Sequence, residues 1–340
     1  MRNRTLAMLG GAAAASLVLA LAVAPGGRET PPQGVGAPLF PALSAAVNDV
    51  ARIEVSGAGG RATLIRGEGE GGAGRWVVAE RDSFPASADA VKNLVVGLAA
   101  ANLTEPRTAT PDLYPRIGVE EPEAAGAAGV RVSLRRSDGG ELGAVIVGKP
   151  ANPSSIGAGP GQVYVRRAGE AQSWLATTPL VPIRADPVHW LERGLPRPTR
   201  DHVVALEVRE PTGAVLTLKR GQGADDKTFF ADGLPAGAML DELAAEEATG
   251  ALAFLSFEDV GEYDPLLFAM SPLYVYKTRD GGTVRARVAR RDGAAWLELS
   301  AQGMTADYSH VAGRALRIHD ATAETLSRPA AAYAAAKPPG

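Results

Sequence analysis

The sequence predicts an α+β protein: two tandem duplicated modules of mainly antiparallel β-sheet, each covered by a helix, preceded by one N-terminal transmembrane helix. Three observations predict this. An internal repeat keeps its blocks in order over most of the chain. Apolar residues alternate with period two between turn signals. An uncharged apolar run follows two arginines at the N-terminus.

Taken in chain order, the first element is residues 1–24. Arg2 and Arg4 precede Thr5 to Ala24, which carries no charge. Twenty residues as a helix reach roughly 30 Å, the thickness of a hydrocarbon core. Basic residues ahead of the run hold the N-terminus on the cytoplasmic side, so the expectation is a single pass through the inner membrane with the bulk of the chain outside the cytoplasm, in the periplasm. Ala20-Leu21-Ala22 and Ala22-Val23-Ala24 have cleavage-like spacing, which leaves removal of the segment open. Pro25 disfavours a cut after Ala24, and the length of the run favours an uncleaved anchor. Residues 25–46 are rich in Pro, Gly and Ala and read as a stalk.

The repeat sets the next two elements, a first module at 47–199 and a second at 200–328. Asn48 to Val55 matches Asp201 to Val208, and Thr63-Leu64-Ile65-Arg66-Gly67 matches Thr217-Leu218-Lys219-Arg220-Gly221. The aromatic segments Trp76-Val77-Val78 and Phe229-Phe230 come next, then Asp82 to Ala88 against Asp232 to Ala238. Asp138-Gly139-Gly140 pairs with Asp280-Gly281-Gly282, and Leu142, Ala144 and Ile146 pair with Val284, Ala286 and Val288.

Each copy opens with short strands, as in Ile53 and Val55 alternating with Arg52 and Glu54. A helix follows in the first copy, where Val91, Leu94, Val95 and Leu98 form one apolar stripe behind Ser87 as N-cap. The second copy's stripe is Leu240, Leu243, Ala244, Ala248 and Ala251. A hairpin then turns on Asp-Gly-Gly, where glycine admits positive φ. Short helices from Asp186-Pro187 to Arg193 and from Asp320 to Arg328 are expected to close the copies. Residues 329–340 read as a disordered Ala/Pro-rich tail.

Several of these segments resemble a known family, the bacterial domain of unknown function 4340. The resemblance is carried by Leu39-Phe40-Pro41-Ala42-Leu43, Asn48-Asp49-Val50, Trp76-Val77-Val78 and the helix led by Pro85. It continues through Tyr114 to Val119, Val147-Gly148-Lys149, Tyr164-Val165-Arg166 and Asp186 to Leu191. It implies a membrane-anchored extracytoplasmic protein associated with ABC-type transport systems of the gliding-motility kind. It supplies no catalytic residue, because the matching positions are packing and turn residues.

Composition narrows the chemistry. The absence of cysteine excludes a lipid-modified N-terminal cysteine, disulfides, thiol catalysis and thiolate metal sites. Setting aside Arg2 and Arg4 leaves 33 basic residues against 38 acidic ones, a formal charge of −5 that argues against a nucleic-acid partner. His189, His202, His310 and His319 form no short metal-ligand spacing, although His310 and His319 flank one short strand. No Gly-x-Ser-x-Gly elbow occurs. The glycine-rich stretch Gly67 to Gly74 lacks a closing Gly-Lys-Ser/Thr, and Pro150 after Gly148-Lys149 spoils a cradle of backbone donors. Glu120-Glu121 and Glu246-Glu247 read as solvated surface. No catalytic residue, metal ligand or cofactor is therefore expected.

One surface feature stands out. Lys277 and Arg279, with Arg285 and Arg287 on the next strand, are spaced to gather on one face, a candidate surface for acidic lipid headgroups, an anionic glycan or an acidic protein. The bland reading is a solvated strand face balanced by Asp280 and Glu298. The leading functional expectation is a non-enzymatic membrane-anchored accessory or scaffold protein whose partners are components of a transport complex. The alternatives are an envelope glycan- or lipid-binding protein with a groove between the modules, and an envelope hydrolase.

Overall fold

The computed structural model describes residues 34–67, 74–152, 161–179, 182–221 and 228–335. The expected anchor and residues 25–33 of the expected stalk lie outside them. Among the described residues no helix is long and apolar enough to cross a membrane.

The molecule is mostly antiparallel β-sheet with a few short helices. The first half contains α1 (Pro41–Ala45), β1 (Arg52–Gly57), β2 (Gly60–Arg66), β3 (Trp76–Val78), β4 (Phe84–Pro85) and α2 (Ala88–Ala99). It continues with β5 (Asn102–Pro106), α3 (Tyr114–Ile117), β6 (Val130–Arg135), β7 (Glu141–Pro150), β8 (Gly161–Arg167) and β9 (Ser173–Thr178). These strands form one sheet in the order β4-β3-β2-β1-β6-β7-β8-β9-β5.

The second half contains β10 (Val203–Arg209), β11 (Val215–Arg220), β12 (Phe229–Asp232), β13 (Met239–Leu240), α4 (Glu242–Gly250), β14 (Asp259–Gly261) and α5 (Pro265–Ala269). It ends with β15 (Leu273–Thr278), β16 (Thr283–Arg291), β17 (Ala294–Gln302), β18 (Ala315–Ile318), α6 (Asp320–Leu326) and β19 (Ala334–Ala335). The second large sheet runs β12-β11-β10-β15-β16-β17-β18-β14.

The two orders coincide strand for strand once β4 is set aside. In both halves the strand after the main helix crosses to the far edge, and the next strand returns to the centre beside the first. Register agrees as well. Ile53 pairs with Leu64 and Leu134, and its sequence match Leu206 pairs with Leu218 and Tyr276. Val55 faces Val132 where Val208 faces Tyr274. The hairpin glycines Gly139 and Gly281 both take φ of 85°, the conformation that Asp-Gly-Gly was expected to supply.

The halves depart from each other at β7. A bulge between Leu134 and Arg135 inserts a residue into the ladder, so the alternation changes phase. Leu142, Val145 and Val147 face the main core, and Ile146 faces the other way. The expected correspondence of Leu142, Ala144 and Ile146 with Val284, Ala286 and Val288 is thus corrected by one residue: Gly143 and Val145 take the ladder positions of Val284 and Ala286, and Val284, Ala286 and Val288 share the core face of the unbulged β16.

The main helices differ in how well sequence placed them. Val91, Leu94, Val95 and Leu98 of α2 are buried, and Ser87 Oγ accepts from Ala90 N at 3.4 Å. In α4 the expected stripe holds at Ala244 and Ala248, which are buried, and at Leu240 and Ala251, which pack against the core, and fails at Leu243. Asp241 caps the helix by accepting from Ala244 N, so Ala244, Ala245 and Ala248 turn inward while Leu243 is 67% exposed. Leu240 is held extended in β13, which pairs with β19. The closing helices are shorter than expected: a 3-10 turn at Pro187–Trp190, and α6 ending at Leu326.

Both expected terminal segments are corrected where they are described. Leu39 and Leu43 of the stalk are fully buried, and Pro38 bridges to Asn102, so Leu39, Phe40, Leu43 and Ala46 join the main core and residues 38–46 are part of the folded unit. Tyr333 of the expected tail is fully buried, and Ala334–Ala335 form β19. Apolar side chains in these Ala/Pro-rich stretches outweigh the flexibility their composition suggests, because burying each removes a large area from water.

One continuous hydrophobic core runs through both sheets. Two smaller clusters lie on opposite, outer faces. Tyr114 and Val119 cover Ile146 on the first sheet, and Phe268 covers Ala289 and Ala315 on the second. Each outer face is thereby part-roofed by a short helix, α3 or α5, leaving the rest of the face open.

Candidate functional site

The open part of the second sheet's outer face holds most of the cations singled out from sequence. Pairing of Lys277 with Ala205 and Thr283, and of Val275 with Glu207 and Arg285, puts Lys277, Glu207 and Arg285 on one side. Arg287 pairs with Glu298 two positions further along the same side. Arg279 is not in the strand; it lies in the turn after Thr278, and its amide donates to His202 O.

The cations are not equivalent. Lys277 and Arg209 both bond to the carboxylate of Glu207, and these two hydrogen bonds, Lys277 first, hold its carboxyl below the usual range. Arg287 is 3.7 Å from Glu298, whose other oxygen accepts from Tyr263 Oη at 2.8 Å. Among the described residues Arg285 reaches Gln302, at 3.4 Å. A shallow hollow of about 140 Å³ lies between Leu273, Arg285, Arg287, Glu298 and Ser300.

The first sheet carries a counterpart that sequence reading missed. Glu54, the match of Glu207, sits among Arg52, Arg135 and Arg61. The Arg52 Nε–Glu54 hydrogen bond of 2.8 Å is the main reason its carboxyl is held low, and charge from Arg135 and Arg61 adds to it. Beside this cluster Arg166, 5% exposed, clamps the α3 segment. Its guanidinium donates to Val119 O, Glu170 O and Glu121 Oε1 and lies 4.6 Å over the Tyr114 ring. That arrangement satisfies a buried charge and is structural.

A larger cleft, about 570 Å³, opens between the Arg200-Asp201 connection, β11–β12 and α4. Its walls are Arg200, Arg220, Phe229, Glu242, Leu243 and Glu246, with Arg200 ion-paired to Glu246 and Arg220 stacked 4.9 Å over Phe229. The volume suits a small ligand. Among the described residues its charged lining is Arg200, Asp201, Arg220, Glu242 and Glu246, with no serine, threonine, histidine or lysine.

Where the two sheets meet, the space is filled. Phe84 packs edge-on against Phe257 and His310, and Arg193 lies 4.7 Å over Phe257. Arg81 grips Asp259 with two bonds of 2.6 and 3.1 Å, Arg314 pairs with Asp82, and His310 Nε2 meets Gly194 O at 3.0 Å.

The remaining sequence candidates sit in structural roles. His310 and His319 go to different partners, the latter to Glu258 at 3.0 Å. His202 faces Asp280 at 3.3 Å. His189 stacks edge-on against Trp190, and burial, with Arg184 nearby, lowers its pKa. No group of three metal-ligating side chains occurs among the described residues. Gly148 lies under α3, where a Cβ would fall 2.3 Å from Ile117 O, and Lys149 donates to Pro115 O and Arg116 O at that helix's end. Glu120 accepts from Ala128 N and Glu247 pairs with Arg328.

The family model described as "Domain of unknown function (DUF4340)" matches residues 76–267, more than half of the 340 residues. The chain belongs to the DUF4340 family. The match begins at β3 of the first sheet and ends within α5 of the second, so this DUF4340 chain holds the domain across both sheets. No curated protein and no solved structure matches it.

Proposed function

We propose that this DUF4340 protein is a non-enzymatic accessory or scaffold protein, anchored by Thr5–Ala24 with its bulk outside the cytoplasm, that presents two duplicated β-modules to components of a transport complex. The observation that carries the reading is the matched strand order of two sheets that share one core. A duplication fused through one core displays two sets of sheet faces and edges, which suits binding other chains. The edge of β12 has no strand beside it among the described residues, and Phe230 there is 62% exposed. The anchor rests on the apolar run behind Arg2 and Arg4, and the transport link rests on the family resemblance.

Affinity purification of the full chain from solubilised membranes tests this. Co-recovery of a transport-system subunit is expected; recovery of the chain alone would count against it. The second reading, an envelope glycan- or lipid-binding protein, finds no groove in the filled junction. The 570 Å³ cleft at Arg200 and Glu246 is the place it would have to use.

A further inference from the structure

We propose that the outer face of the second sheet, together with α5, rests on an anionic lipid surface. This builds on the reading that the chain stays at a membrane, and adds which face turns toward the bilayer.

The first support is an exposed apolar pair. Phe268 of α5 is fully buried against Ala289 and Ala315, which fixes the helix on the sheet. Leu266 is 80% exposed, and Met270, capping the helix, is 81% exposed. Residues four apart lie on one side of a helix, so both stand off the protein together. The chain then runs directly into β15, whose first residue, Leu273, lines the hollow beside Arg285 and Arg287.

The second support is charge segregation on that same face. Register places Arg209, Lys219, Lys277, Arg285 and Arg287 together, against Glu207, Glu298 and, at the edge, Asp232. This excess of cations lies on a chain whose formal charge is −3. The four strands that carry it span roughly 14 Å at ordinary strand spacing. A broad cationic surface whose hollow holds only about 140 Å³ is too shallow to enclose a small molecule, but suits a layer of phosphates. Apolar side chains that enter the interface beside cations that meet headgroups form a peripheral membrane contact.

The first sheet serves as an internal comparison. Its roof helix α3 exposes Pro115 and Arg116, while Tyr114 is buried. The cations next to α3 are tied to it, Arg166 to Glu121 and Lys149 to the end of the helix, although Arg52, Arg61 and Arg135 gather further along the same face. Both sheets carry a cationic outer face, but among the described residues only the second sets an exposed apolar pair on its roof helix beside it.

The test uses the full chain, whose lack of cysteine lets M270C carry a single environment-sensitive fluorophore. The labelled protein is reconstituted into phosphatidylglycerol-containing or purely phosphatidylcholine vesicles bearing nitroxide lipids, with K92C on α2 as the control position. At least half of the M270C emission should be quenched in anionic vesicles, severalfold less in neutral ones or after R285E/R287E, and K92C emission should be unaffected. Protein that floats with anionic vesicles while M270C stays unquenched overturns this inference and leaves membrane retention standing. Protection of M270C from aqueous iodide without lipid quenching marks a protein or glycan occupant and also overturns it. Failure to float overturns the retention reading itself.

Discussion

Tyr333 gives a direct test of how the C-terminal segment is built into the fold. Its side chain is fully buried, and its hydroxyl lies 3.1 Å from that of Tyr274. Tyr274 in turn donates toward Arg328 O at 2.6 Å and Thr325 O at 3.1 Å, tying the segment to the sheet. Removing a buried ring of this size costs about 3–5 kcal/mol, through lost transfer energy and the cavity left behind. Removing only the hydroxyl costs about 1 kcal/mol, because the Tyr274 hydroxyl keeps its carbonyl acceptors. Y333A should therefore lower the melting temperature by about 5–8 °C and Y333F by about 1–2 °C. Tryptophan fluorescence of the full chain in detergent during thermal unfolding reads both. A Y333A protein that melts within 2 °C of the parent would refute the reasoning, as would equal losses in the two variants.

R166A should cost about 3–5 kcal/mol by stranding Val119 O and Glu170 O, and hydrogen exchange over residues 111–121 should rise more than elsewhere. G143A should cost about 1–3 kcal/mol, because its Cβ would meet the Phe40 ring at 2.8 Å; denaturant midpoints should show F40L relieving part of the loss. Glu54 and Glu207 sit below their ordinary value of 4.5, so their stabilisation is complete above the unfolded-state value and lost as pH falls through the folded-state value. Melting temperature should drop on acidification below about pH 4.5, and E54Q/E207Q should flatten that drop.

The family and the mainly antiparallel α+β character were legible in the sequence, because alternation, Asp-Gly-Gly turns and the α2 stripe are local signals. Two large sheets follow from the same signals repeated. What escaped was set by tertiary contacts. The β7 bulge cannot be seen in a strand where both Val145 and Ile146 are apolar. The outward turn of Leu243 and the extended backbone at Leu240 were set by the Asp241 cap and the β13–β19 pairing, which alanine-rich patterning conceals. Leu39, Leu43 and Tyr333 were single large side chains in stretches whose composition signalled flexibility.

The candidate surface was half legible. Period two brought Lys277, Arg285 and Arg287 to one face, but Arg279 fell in the turn. The matching cluster at Glu54 left a faint signal, the alignment of Arg52 and Glu54 with Ala205 and Glu207 in the repeat. Its other members, Arg61 and Arg135, arrive from β2 and β6 and needed the register to be known. Leu266 and Met270 read as ordinary apolar residues until Phe268 was seen to take the inward position.

We propose above that the two sheets are displayed to a transport partner at the membrane. Photo-crosslinking residues placed at Arg61 on the first sheet and Phe230 on the open β12 edge, followed by crosslinking in the native membrane, test it most directly. Adducts containing a transport-system subunit from at least one of these positions are predicted. Adducts confined to the chain itself, or to none, at both positions would contradict it.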